Sequence, residues 1–148
     1  MIAVLQRVSK ASVVVDYDVI GEIKLGFLVL LGIAQEDTQK DLDYIIKKVT
    51  KLRVFPDDEG KMNISLSELG GELLIVSQFT LLANIKKGNR PSFNLSAPPD
   101  IAKQYYNLAI QQFKELGFYV QSGEFGAKME VALVNDGPVT IILNSKDI

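Results

Sequence analysis

The chain has 148 residues, 47% of them hydrophobic and 23% charged, with 16 basic against 18 acidic side chains and a net charge of −2. That length suits one domain with a buried core, and the charge disfavours a general nucleic-acid binder, which normally carries a strong basic excess. Histidine and cysteine are both missing, which excludes disulfides, a cysteine nucleophile, Ser-His-Asp catalysis and the usual zinc ligand sets.

Residues 2–8 and 11–17 are expected as strands, the second marked by the β-branched run Val13-Val14-Val15. Gly26 opens a third strand, Phe27 to Leu31, apolar on both faces and therefore central. The apolar run Phe27 to Ile33 is far too short to span a bilayer, and the N-terminus has no signal-peptide pattern, so a cytoplasmic protein is expected. Thr38 caps a helix whose Leu42, Ile45, Ile46, Val49 and Leu52 recur at helical spacing. Asp57-Asp58-Glu59-Gly60 is the nearest approach to a carboxylate metal cluster, but it reads better as a turn, and no metal or cofactor is expected.

A buried strand, Leu73 to Val76, runs straight into Ser77-Gln78-Phe79-Thr80-Leu81. Residues beyond the end of a buried strand commonly contact ligands in open sheets. Read as extended chain, Ser77 and Phe79 share one face while Gln78 and Thr80 share the other. Thr80 makes a poor nucleophile, because a hydroxyl needs an adjacent base and neither a histidine nor a neighbouring lysine supplies one. Ser77 and Thr80 bonding the strand end is the plainer reading of the same residues. The loop 83–97 follows, with Lys86, Lys87 and Arg90 as a small basic cluster that a solvated loop also explains.

Pro98 and Pro99 suit the entry to a second helix, Ile101, Tyr105, Leu108 and Leu116 give it an apolar stripe, and Gly117 is placed to end it. Strands are expected over 118–122, 129–134 and 139–143, the last two joined by a hairpin at Asn135-Asp136-Gly137 with Pro138 opening the final strand. The order β-β-β-α-β-α-β-β-β predicts an α/β or α+β domain over 1–148 with mixed strand pairing. An enzyme so built would work by positioning and backbone hydrogen bonds.

Ser77-Gln78-Phe79-Thr80-Leu81 and Asn135-Asp136-Gly137-Pro138-Val139-Thr140 together resemble the two signature motifs of the D-aminoacyl-tRNA deacylases. The similarity continues through residues 1–8, Gly60-Lys61-Met62-Asn63, Arg90-Pro91-Ser92-Phe93 and Phe125-Gly126-Ala127-Lys128-Met129, and so covers essentially the whole chain. The resemblance implies a three-layer α/β/β fold with barrel-like sheets. It implies a homodimer that hydrolyses the ester of D-aminoacyl-tRNA, and of glycine mischarged on tRNA-Ala, without a cofactor. Ser77, Gln78, Phe79 and Thr80 would line the pocket for the tRNA 3′ end, with the Phe79 and Thr80 amides stabilising the developing oxyanion and the terminal ribose 2′-OH assisting. A cis Gly137–Pro138 peptide would reach into the partner's pocket and reject L-amino acids by collision. Arg90, Pro91, Phe125 and Asn135 would support the site, and Arg7 would hold a buried polar contact near the dimer seam. Two other readings fit the residues: a module that binds the tRNA 3′ end without hydrolysis, and a structural dimer whose motifs are only turns and strand ends.

Overall fold

The structure is a computed structural model and describes residues 1–147. Its first strand, β1 (Ile2–Val15), is continuous where the sequence suggested two. Ser9 and Lys10 are exposed at a register shift against the last strand, and there the chain bends without leaving the sheet. Asp16 and Tyr17, both at positive φ, turn β1 back into β2 (Asp18–Ile23), a strand not foreseen. β3 (Gly26–Gly32) lies antiparallel to β1 and is almost wholly buried, as its two-sided apolar pattern predicted.

Thr38 caps α1 (Gln39–Lys51), with its backbone N–H donating 2.8 Å to the carboxylate of Asp41, and Leu42, Ile45, Ile46 and Val49 face the core. β4 (Arg53–Pro56) and β5 (Met62–Ser65) form a small antiparallel pair around the Asp57 turn, and α2 (Leu66–Leu69) follows. The Asp57 carboxylate accepts the amides of Glu59 and Lys61, each at 2.9 Å, so these acids make a turn as expected. β6 (Glu72–Ser77) pairs in parallel with β3 on one side and with β7 (Val120–Ser122) on the other.

α3 (Pro99–Glu115) starts at the expected prolines and stops before Gly117, whose φ of +92° terminates it. Its buried face differs from the expected stripe. Tyr106, Ala109 and Phe113 are buried, Tyr105 and Leu108 are half-buried at the margin, and Ile101 and Leu116 are exposed. The seam is thus rotated by one residue, because the large rings of Tyr106 and Phe113 fill the space over the sheet.

The last strand overturns the hairpin expectation. β8 (Glu130–Asn144) is a single strand that runs antiparallel to β1 along almost its whole length. Gln6 faces Thr140 and Val8 faces Asn135, so residues 136–139 are an insertion opposite Arg7. Asn-Asp-Gly has turn-forming chemistry in either setting, and here it makes a bulge within one strand.

Two apolar clusters define the layers. On one face of the central sheet, Leu5, Phe27, Val29, Leu73 and Ile75 pack with residues of α1 and α3. On the other, Leu28, Leu74 and Val76 meet Val13, Ile23, Val131 and Leu133 from the folded-over half of β1, β2 and β8. This is the three-layer α/β/β arrangement with a mixed, nearly closed, barrel-like sheet. No helix among the described residues is long and apolar enough to cross a membrane.

Candidate active site

β6 delivers Ser77 to the open end of the sheet, where the chain coils into a 3-10 turn, Phe79–Leu82. The expected alternation of faces therefore stops at Gln78. That residue's amide still donates to the Leu31 carbonyl at 2.8 Å, closing the ladder, while Leu81 N–H donates to the Gln78 carbonyl at 3.2 Å. Tight approach fixes the turn from behind: a Cβ on Gly32 would lie 3.0 Å from the Gln78 carbonyl oxygen. At the N-terminal end of such a turn the first amides have no helical partner, and among the described residues the Phe79 and Thr80 N–H groups donate to none.

Ser77, Gln78 and Phe79 line a cavity of about 750 Å³. Opposite them stand Pro98, Pro99 and Ala102 at the start of α3, and Phe125, Gly126 and Ala127 after β7, with Met129 and Val131 closing the side. The Phe79 ring is half exposed, meets Phe93 edge-on with centroids 4.9 Å apart, and its carbonyl accepts from Ser96 Oγ at 3.3 Å. Among the described residues, none that lines the cavity carries a titratable side chain. Thr80 is exposed and outside the lining, its hydroxyl accepting from the Gln78 side-chain amide. Among the described residues no three His, Cys, Asp or Glu side chains gather as metal ligands would.

Of the supporting residues, Phe125 is in the wall and packs its ring 5.8 Å from that of Tyr106. Tyr106 anchors the wall by donating to the carbonyl of Ile75 at 2.9 Å, and burial pushes its phenol up to about 12, so it stays a neutral donor. Arg90 and Pro91 are exposed and lie outside the lining; from that segment Phe93 reaches the cavity.

The second motif lies elsewhere. Gly137 and Pro138 are exposed on the β8 bulge, joined by a cis peptide, and neither lines the cavity of their own chain. Asn135 ties the bulge internally: its Oδ1 accepts from Val139 N–H at 2.9 Å and its Nδ2 donates to Thr140 Oγ1 at 3.0 Å. Arg7 grips it from below. This residue is only 8% exposed, and it donates through Nε to the Asp136 carbonyl at 2.8 Å and through Nη1 to the Val54 carbonyl at 2.6 Å. The structure thus makes Arg7 the principal brace of the bulge; an arginine inside an otherwise apolar strand was the signal for it.

The walls thus offer hydroxyl and amide groups and the unpartnered Phe79 N–H, with no acid or base among their described residues, an arrangement suited to stabilising charge by fixed dipoles. The model of the family described as D-Tyr-tRNA(Tyr) deacylase matches residues 4–144, and the chain belongs to that family of hydrolases. The D-aminoacyl-tRNA deacylase of Thermosipho africanus is 51% identical over 148 residues, covering 100% of this chain and 99% of its own. That of Sulfurihydrogenibium sp. is 53% identical over 148 residues, covering 100% of each chain. A solved structure described as a c-Myc DNA unwinding element binding protein superimposes with a TM-score of 0.91 at 45% identity, covering 97% of this chain and 98% of that one. A probable eukaryotic D-amino acid tRNA deacylase shares the fold, with a TM-score of 0.74 at 18% identity, covering 96% and 97%.

Proposed function

We propose that this protein hydrolyses the ester of D-aminoacyl-tRNA, releasing free D-amino acid and tRNA. The observation that carries the reading is the pair of free amides, that of Phe79 in the wall and that of Thr80 next to it in the chain, beside a cavity with no titratable side chain among its described lining residues. An aminoacyl ester is already activated, so the site need only orient it and stabilise the charge that develops on its carbonyl oxygen. In this reading Ser77, Gln78 and Phe79 bind the aminoacylated 3′ end, and the terminal ribose 2′-OH helps to activate the attack. The reaction needs no metal or other cofactor and takes place in the cytoplasm, where tRNA is charged.

Chirality is read by Gly137 and Pro138 of a second copy of the chain. Support for a dimer comes from β8, which pairs only with β1 among the described residues and leaves Val134 and Ile142 exposed along a long outer strand. Proteins normally cover or blunt such an edge. With the partner's bulge as a wall of the cavity, an L side chain collides and a D side chain projects outward. Glycine, without a side chain, passes the same gate, so glycine mischarged on tRNA-Ala is also a substrate.

The test is amino-acid release from D-Tyr-tRNA and L-Tyr-tRNA by purified protein with a chelator present. Release from the D form alone is expected. Binding of D-Tyr-tRNA without turnover would instead make the protein a tRNA-end binding module, and release from both forms would overturn the chiral gate.

A further inference from the structure

A second cavity, of about 510 Å³, adjoins the first. It lies between α3, which contributes Lys103, Asn107 and Ile110, and the segment from Ser122 to Ala127. Phe125, Gly126 and Ala127 line both cavities, so this short stretch is a partition with a space on either side. The two spaces differ in chemistry. Among the described residues the first has no charged group in its walls, whereas the second carries Lys103 and Glu124, both exposed, beside Asn107. Lys128, also exposed, directly follows the partition.

We infer that the second cavity receives the penultimate nucleotide of the tRNA 3′ end, a cytidine in every tRNA. This rests on the deacylase reading: if the terminal aminoacyl-adenosine fills the first cavity, the strand must leave it along one wall. The second cavity continues that path along α3. A cytidine presents an amino group that a carboxylate accepts, a π-face and a phosphate. Glu124 supplies the acceptor, Phe125 at the partition an aromatic surface, and Lys103 the cation. In a chain of net charge −2 the hold on RNA must come from such local groups rather than from a general basic field. The carboxylate also makes the assignment selective, since uridine offers a carbonyl where cytidine offers the amino group.

The test compares deacylation of D-Tyr-tRNA with that of D-Tyr-tRNA whose penultimate cytidine is replaced by uridine, across a salt series, for the native protein, Glu124→Gln and Lys103→Ala. The native protein should favour cytidine by about tenfold in kcat/KM. Glu124→Gln should bring the two tRNAs together, because an amide can donate to the uridine carbonyl. Lys103→Ala should make the slope of log kcat/KM against log salt shallower by about 0.7, the value for one single-strand phosphate contact. A purely structural role for either residue would move neither the base preference nor the slope. Equal rates on the two tRNAs by the native protein overturn the cytidine assignment, and an unchanged slope in Lys103→Ala overturns the phosphate contact. Release from neither tRNA by the native protein removes the deacylase reading, and this inference with it.

Discussion

The two signature segments of this chain are held in opposite ways. Ser77 to Thr80 sit at the end of a central strand, with buried sheet behind them, and the first three of them line a cavity of their own chain. Asn135 to Val139 bulge from an outer strand that has one neighbour among the described residues, and they do not line that cavity of their own chain. The first segment is fixed by the core. The second is fixed by a few polar contacts, chiefly those of Arg7 and Asn135. A site made of both has its chemistry and its selectivity on separately supported parts, so damage to one should leave the other measurable.

The largest effect is expected from Gly137→Val. Gly137 has a φ of +146°, and an added Cβ would lie 2.7 Å from Val139 Cγ2 and 2.8 Å from Val139 N. Backbone strain of about 1–3 kcal/mol follows for a β-branched residue, and the bulge must change shape. The ratio of kcat/KM for D-Tyr-tRNA over L-Tyr-tRNA should fall by about a hundredfold, with the secondary structure by circular dichroism retained. An unaltered ratio would sink the chiral gate.

Arg7→Met tests the same segment from underneath. It strands the carbonyl oxygens of Asp136 and Val54, at a cost of about 1–3 kcal/mol in denaturant unfolding. The D/L ratio should fall by about tenfold as the bulge loosens, while kcat on D-Tyr-tRNA changes less. Equal losses of ratio and kcat would show that the two segments are not separately supported.

Gly32→Ala is the reciprocal experiment. Its new methyl would press on the Gln78 carbonyl and on Leu82 Cδ2, each at 3.0 Å, and shift the turn that presents the Phe79 and Thr80 amides. Displacement by a fraction of an ångström should lower kcat by about fivefold without altering the D/L ratio. Single-turnover rates on both tRNAs separate the outcomes, and a changed ratio would tie selectivity to the first segment.

The same contrast explains what could be read from the sequence. Central elements announced themselves: β3 through apolar residues on both faces, α1 through its period and its cap, α3 through its prolines and Gly117. Segments whose shape depends on distant partners did not. Asn135-Asp136-Gly137 has the composition of a hairpin loop, and only pairing with β1 on both sides of it reveals a bulge. Phe79 to Leu82 carry no period that tells one 3-10 turn from extended chain, yet that turn is what leaves two amides free. β4 escaped because Pro56 reads as a breaker, although an edge strand tolerates it. In the candidate site, Ser77, Gln78 and Phe79 were legible from their place beyond a buried strand. Arg90 was not placeable, since a basic residue in a polar loop has no periodic partner to set its direction.

The smallest effect should come from Thr80→Ala, and it bears most directly on the chemistry. The hydroxyl is exposed, lies outside the cavity lining and meets only the Gln78 side chain among the described residues. Alanine keeps the backbone N–H, so an amide-based site keeps its donor. Loss of the hydroxyl should lower kcat/KM on D-Tyr-tRNA by less than about fivefold, the equivalent of one modest hydrogen bond. A nucleophilic Thr80 demands the opposite, activity abolished in a protein that still folds and still binds the tRNA. Among the described residues no base bonds the hydroxyl to make it a nucleophile, so retained turnover in this variant would assign the stabilising work to the backbone of the first segment.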